Sequence, residues 1–164
     1  MIKTKRFKIT LLALIMGLTA CNSSIEFINF QSLKNAIWKA KDTLNFEFQV
    51  SDTINPKNLF LHIRNSNSYS FSNLYVITQL QFPDNKVVID TLQYEMADKN
   101  GKLLGSGISS TKESKLFYKE QKIFPTSGSY RVKIYQAMRK QGEIEPIDLE
   151  GVQEVGFSLE KINQ

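Results

Sequence analysis

The chain has 164 residues, with 21 Lys and Arg against 16 Asp and Glu and a formal net charge of +5. Residues 1–20 contain four of the basic residues and none of the acidic ones, so the remainder holds 17 basic and 16 acidic residues and is almost neutral. Nucleic acid binding through phosphate neutralisation therefore loses its main support, and the single cysteine excludes an intramolecular disulfide.

The first 20 residues are typical of a secretory signal peptide. Four basic side chains within residues 3–8 precede an apolar run that starts at Ile9 and reaches Ala20. That run has twelve residues, whereas a membrane-spanning helix needs about 20. We therefore expect a signal at residues 1–20 rather than a transmembrane anchor.

The residues Leu18-Thr19-Ala20-Cys21 resemble a bacterial lipobox. In a lipobox the cysteine sulfur takes a diacylglyceryl group and the chain is cut before it, so we expect Cys21 to become the acylated N-terminus. An ordinary signal peptide with an accidental cysteine is the alternative, but Cys21 is the only cysteine and lies where lipidation requires it. Two or three acyl chains, palmitate among them, would hold the protein on a membrane, whereas one chain binds only marginally.

The remaining chain shows mainly the period of β-strands. We expect a lipidated tether at residues 21–30, including a first edge strand at residues 25–30, and a single domain over residues 31–164. Residues 31–41 have loosely helical apolar spacing, which predicts one helical turn or a packed loop. Residues 44–50 alternate apolar and polar side chains, as in a half-buried strand. Further strands are predicted at residues 58–64, 74–82, 86–94, 116–124, 130–136 and 152–159.

These segments predict an all-β protein. Seven or eight strands at this spacing indicate an antiparallel β-sandwich, immunoglobulin-like or jelly-roll-like, and no amphipathic helix competes. A turn ending at Gly128 and a strand opening at Tyr130 resemble a late strand of immunoglobulin-like sandwiches, although an ordinary hairpin fits the turn equally well. This strand should point Tyr130, Val132 and Ile134 inward and Arg131 and Lys133 outward.

Catalytic constellations are hard to find in this sequence. His62 is the only histidine, so the catalytic zinc sites built from several histidines are excluded. We expect His62 to face the surface from the middle of a strand. The acidic residues Glu143, Glu145, Asp148 and Glu150 could bind a hard cation or supply a glycosidase carboxylate pair, but a solvated loop is favoured. We therefore expect no enzyme, no cofactor and no metal.

The segment of residues 64–73 is the most suggestive loop. Asn65 and Asn67 supply amides, and Tyr69 and Phe71 supply rings that could stack on sugars or on partner side chains. The alternative is a polar turn whose two rings pack down on the edge of the sandwich.

The order and spacing of many segments resemble the gliding motility lipoprotein family GldH of Bacteroidetes-type bacteria. The residues that carry the resemblance include Cys21, Trp38, Leu44–Val50, Asn58-Leu59-Phe60, Tyr69, Phe82-Pro83, Tyr94-Glu95-Met96-Ala97-Asp98, Tyr118-Lys119, Phe124-Pro125, Gln136-Ala137-Met138-Arg139 and Leu149-Glu150-Gly151-Val152. The resemblance implies a component of the gliding machinery, linked with type IX protein secretion. It supplies no catalytic residue, only Cys21 as the lipid site.

The resulting expectation is a non-catalytic lipoprotein of the outer membrane, on its periplasmic face, that contacts other gliding and secretion proteins of the envelope. Asn22 does not resemble the acidic retention signal that follows the cysteine of inner-membrane lipoproteins. A glycan-binding lipoprotein that uses Asn65, Asn67, Tyr69 and Phe71 is the alternative from another functional class.

Three short repeats read Asp-Thr-aliphatic, at Thr43, Thr53 and Thr91. They resemble the acceptor signal for O-glycosylation of exported proteins in Bacteroidetes-type bacteria, which predicts glycans on these threonines. The alternative is that Asp ends a turn and Thr begins a strand.

Overall fold

The protein is described here by a computed structural model that covers residues 24–107 and 110–162. Cys21 and the predicted signal therefore lie outside the described residues. The described chain contains ten strands and one 3₁₀ turn at Lys34–Ala36. The strands are β1 (Ile25–Ser32), β2 (Ile37–Trp38), β3 (Leu44–Val50), β4 (Lys57–Ser66), β5 (Asn73–Gln81), β6 (Val87–Glu95), β7 (Thr111–Lys122), β8 (Gly128–Gln136), β9 (Leu149–Glu150) and β10 (Val152–Lys161). No helix in these residues is long and apolar enough to cross a membrane.

The long strands form two antiparallel four-stranded sheets. The first sheet has the order β1-β10-β4-β7 and the second has the order β3-β8-β5-β6, while the short strands β2 and β9 pair with each other. Apart from the β5–β6 hairpin, each long strand is followed by a long strand of the other sheet. This crossing pattern is that of an eight-stranded jelly roll. The predicted β-sandwich is therefore confirmed, and of its two variants the topology selects the jelly roll.

Strand β3 shows why these sequences form a sandwich. Its four apolar side chains are buried and its three polar ones are exposed, in strict alternation. The same alternation places Tyr130, Val132 and Ile134 of β8 in the core, as predicted. Between the sheets, the Phe48 ring lies 5.3 Å from the ring of Phe157 and 5.9 Å from that of Tyr130, measured between centroids. The core thus contains an aromatic cluster to which both sheets contribute.

Side chains join the two sheets along both open edges. Gln31 of β1 donates through Nε2 to the carbonyl oxygen of Asn45 on β3 at 2.6 Å. On the opposite side, the Tyr94 hydroxyl of β6 donates to the carbonyl oxygen of Phe117 on β7 at 2.7 Å. Edge strands with free carbonyls invite pairing with other chains, so these two bonds make the edges poorer templates for aggregation.

Two predicted boundaries differ from the structure. The sandwich begins at Ile25 instead of residue 31, because β1 is paired with β10 over its length and belongs to the first sheet. Strand β7 begins at Thr111 instead of residue 116, because its polar first half is paired with β4. The segment left between Cys21 and the folded domain is consequently only three residues long.

Candidate functional site

The strand register gives the sandwich two distinct ends. Ile25 at the start of β1 pairs with Glu160, and Lys57 at the start of β4 pairs with both Lys161 and Lys122. The start of β1 therefore shares one end, the anchor end, with the loops of residues 51–56, 82–86 and 123–127. The opposite, distal end carries the loops of residues 67–72, 96–107 and 137–148.

The predicted recognition loop lies at the distal end, but half of its predicted residues are built into the domain. Asn65 is buried in β4, and Tyr69 is buried with its hydroxyl donating to the carbonyl oxygen of Asn73 at 2.6 Å. Burial raises the pKa of the Tyr69 phenol, so it remains a neutral donor. Asn67 is exposed and Phe71 is half-buried. These two residues are therefore the members of the predicted set that face solvent.

An open cleft of about 600 Å³ lies beside this loop. Its walls come from two loops that are bonded together, since the backbone N–H groups of Met96 and Ala97 both donate to the carbonyl oxygen of Ser72. It is lined by Asn67, Tyr69, Ser70, Phe71, Ser72, Ala97, Gly101, Lys102, Leu103 and Lys112. The Phe71 ring packs edge-on against Tyr69 at 6.0 Å between centroids, so a buried ring supports the accessible one. The cleft offers hydroxyls, one ring and lysines to a ligand or a partner.

A second constellation covers the outer face of the first sheet, and the sequence alone did not reveal it. The Arg64 guanidinium lies 4.1 Å from the centroid of the Phe30 ring and pairs with Glu113 at 2.8 Å and with Glu154. Hydrogen bonds from Arg64 and Ser32 lower the pKa of Glu154. Phe30 in turn lies directly on Gly156, where a Cβ would come within 2.6 Å of the ring. The face is therefore closed by packing and ion pairs.

His62 lies inside this closed face, so its predicted surface position is wrong. It is only 4% exposed, because Phe30 of the edge strand β1 reaches across β10 and packs 5.4 Å from its ring. Its Nε2 lies 2.9 Å from the Ser158 hydroxyl, and its Nδ1 lies 3.4 Å from a Glu113 oxygen without hydrogen-bond geometry. A serine, a histidine and a carboxylate thus meet. Ser158 is nevertheless fully buried and donates to Glu160, so its hydroxyl is not offered to a substrate.

Acidification should destabilise the protein through His62. Burial lowers the pKa of His62, although Glu113 opposes the shift, so the folded chain binds fewer protons than the unfolded chain below the ordinary histidine value of about 6.5. Stability therefore falls as the pH drops through that value. Between about pH 7.5 and pH 5.5, wild type should lose up to about 1 kcal/mol more free energy of unfolding than His62→Gln, measured by urea denaturation. Equal losses in the two proteins would contradict this assignment.

The other predicted sites are spread over the surface. Thr43 and Thr91 are exposed and Thr53 is half-buried, and their glycosylation stays a prediction. In the acidic segment of residues 143–150, an Asp148 oxygen accepts a hydrogen bond from the backbone N–H of Ala40 at 2.8 Å. Within residues 24–107 and 110–162, no three His, Cys, Asp or Glu side chains are grouped so that they could hold a metal ion.

Comparisons with known proteins agree with the resemblance noted in the sequence. The model of the GldH lipoprotein family matches residues 26–159. The chain is 43% identical over 148 residues to the gliding motility lipoprotein GldH homolog of Christiangramia forsetii, covering 90% of each chain. It is 38% identical over 160 residues to the gliding motility lipoprotein GldH of Flavobacterium johnsoniae, covering 97% of this chain and 98% of that protein.

Among solved structures, the VP2 subviral particle of infectious bursal disease virus is similar with a TM-score of 0.37 and 13% identity, over 84% of this chain and 34% of that one. The match to the family model spans strands of both sheets, from the second residue of β1 to the eighth residue of β10. On this basis the chain belongs to the GldH lipoprotein family.

Proposed function

We propose that this protein is a non-catalytic component of the gliding machinery and of the type IX secretion associated with it, held by a lipid on Cys21 at the periplasmic face of the outer membrane. The observation that carries the proposal is the family match over residues 26–159, together with relatives whose names place them in gliding motility. The lipobox ending at Cys21 supplies the anchor, and Asn22 favours the outer membrane.

The non-catalytic part of the proposal is supported by the environment of His62. The only histidine of the chain is enclosed between Phe30, Ser158 and Glu113, and the serine beside it is fully buried. General acid–base work requires a group within hydrogen-bond reach of a bound substrate. The buried side chains around His62 leave no room for a bound substrate, so we propose that they contribute to the stability of the fold.

The working surface, by which we mean the surface that contacts partner proteins, is proposed to be the distal end. Its cleft combines the half-buried Phe71 with the exposed Lys102, and the loops that form it are joined by hydrogen bonds to the Ser72 carbonyl, so it offers a defined surface to a protein partner. Aromatic side chains that are well packed against the rest of the protein are common at the centres of protein interfaces.

Cross-linking in the native envelope tests this proposal. A lysine-reactive reagent applied to cells should join the exposed Lys99 and Lys102 of the distal end to gliding or secretion proteins, identified by mass spectrometry. Lys86, equally exposed at the anchor end, is the matched control and should give about tenfold fewer such links. If no gliding or secretion protein is captured, or if Lys86 captures them as well as Lys102 does, the proposed working surface is refuted.

A further inference from the structure

The orientation of the domain on the membrane follows from the length of its tether. Asn22, Ser23 and Ser24 are the only residues between Cys21 and the first residue of β1. A fully extended chain advances at most about 3.6 Å per residue, so Ile25 lies no more than about 14 Å from Cys21. With the lipid on Cys21 in the bilayer, the anchor end is therefore held against the membrane surface.

The anchor end exposes aliphatic side chains from separate loops. Ile54 is 81% exposed in the loop of residues 51–56, and Ile123 is 52% exposed in the loop of residues 123–127. Val87, which follows the loop of residues 82–86, and Ile25 itself are exposed as well. Single exposed apolar residues are ordinary, but here several of them share the end that the tether holds at the lipid.

The loop that carries Ile54 is built to present it. An Asp52 oxygen accepts hydrogen bonds from the backbone N–H groups of Ile54 at 3.0 Å and of Asn55 at 3.1 Å. The other Asp52 oxygen lies 3.2 Å from the ammonium of the buried Lys57, which fixes the carboxylate to the body of the domain. The isoleucine is thus held outward by a preformed turn, so ordering it at an interface costs little conformational entropy.

The charges of the anchor end also suit a lipid surface. Glu26 and Asp52 share the ammonium of Lys57 at 2.9 and 3.2 Å, and Glu26 also lies 3.9 Å from that of Lys161. Asp84 pairs with Lys86 at 2.7 Å. Lys122 stacks over the Phe82 ring at 5.4 Å. A carboxylate that is paired with a lysine repels anionic headgroups less than an unpaired carboxylate does. Lysines near a bilayer are attracted to the anionic headgroups.

We propose that Ile54 and Ile123 insert into the interfacial region of the bilayer, so that the domain stands upright on the membrane with its distal cleft facing away from it. This rests on the proposed lipidation of Cys21. Aliphatic side chains that enter the boundary between headgroups and acyl chains add to the binding that the lipid anchor provides.

Single cysteine substitutions can measure this orientation. Acylation of Cys21 leaves no other thiol in the chain, so Ile54→Cys, Ile123→Cys and Ile144→Cys can each carry one environment-sensitive fluorophore. Ile144 is the matched control, because it is 83% exposed but lies at the distal end. The full lipidated proteins are reconstituted in vesicles of phosphatidylethanolamine and phosphatidylglycerol that contain nitroxide-labelled headgroups. Quenching at positions 54 and 123 should be about three times that at position 144.

The outcomes separate this inference from the function on which it rests. Intact mass shows whether Cys21 carries the lipid: a chain without the added mass refutes both the anchor and the orientation. With the lipid present, equal quenching at the three positions, or stronger quenching at position 144, overturns the orientation alone. A third outcome is a fluorescence shift at position 54 without nitroxide quenching, which disappears as the protein is diluted in lipid. It would indicate that Ile54 contacts a second copy of the chain and not the bilayer, and it would also overturn the orientation.

Discussion

Replacing Phe48 by alanine is expected to lower the free energy of unfolding by about 3–5 kcal/mol, the usual cost of removing a buried phenylalanine. Phe48 lies on the edge strand β3, but it is buried between the two sheets and contacts rings from both of them. Its centroid lies 5.7 Å from that of Phe27, 6.0 Å from that of Phe124 and 5.3 Å from that of Phe157. Alanine would leave a cavity that two hydrogen-bonded sheets cannot collapse to fill.

Urea denaturation of the soluble domain, followed by the fluorescence of Trp38, measures this loss. Ile89→Ala is the control, because Ile89 is a similarly apolar strand residue that is exposed on β6, and its cost should stay within about 0.5 kcal/mol. A cost below about 1 kcal/mol at Phe48 would mean that the aromatic cluster contributes little to stability.

Replacing Lys57 by methionine should cost about 2–4 kcal/mol and should loosen the first strand. Lys57 is 1% exposed, and its ammonium lies 2.9 Å from Glu26 of β1 and 3.2 Å from Asp52. Burial alone lowers the pKa of Lys57, but hydrogen bonds and charges from the two carboxylates outweigh it and raise the pKa, so the group is a firmly held cation. Methionine keeps the volume but leaves two carboxylates without their counter-charge.

Two measurements isolate the role of Lys57. Urea denaturation gives the global cost, and amide hydrogen exchange in residues 25–27 reports the predicted loosening of β1. Lys86→Met is the control, since Lys86 is exposed and its pair with Asp84 lies in solvent, where such pairs contribute little to stability. Unchanged exchange at the start of β1 in Lys57→Met would show that Glu26 and Lys57 do not hold the strand.

Local patterns were sufficient to predict the two-layer β architecture. The alternation of residues 44–50 and of residues 130–136 directly encodes which side chains face the core, and both were confirmed. The lipobox at Cys21 is likewise a local signal that needs no tertiary context. The choice between immunoglobulin and jelly-roll topology, in contrast, depends on which distant strands pair, and no short segment encodes that.

The outer-face constellation was missed for the same reason. Phe30 covers His62 only because β1 and β4 both pair with β10, in a register that places Phe30 opposite Gly156 and Gly156 opposite His62. The one feature of the sequence that indicated a covered outer face was Phe60, an apolar side chain on the side of β4 that also carries His62 and Arg64. It packs 4.5 Å from Phe117, between ring centroids, on the same face.

The burial of Tyr69 also has a distant cause. Gly151 has a φ of +83°, and a Cβ there would come within 2.3 Å of the Tyr69 backbone nitrogen. Only glycine lets the chain between β9 and β10 approach the loop of residues 67–72 this closely. The composition of that loop, rich in amides and hydroxyls, fits either an accessible recognition loop or a turn whose rings pack on the edge of the sandwich, and the structure has Tyr69 packed.

The pairing of β1 imposes an order on the biogenesis of the protein. In the described chain β1 is bonded along its length to β10, whose last residue is Lys161. The strand next to the proposed acylation site consequently has no partner strand in the first sheet until β10 has been exported. The proposed lipid attachment at Cys21 can therefore precede the pairing of β1, and this pairing completes the first sheet only after β10 has been translocated.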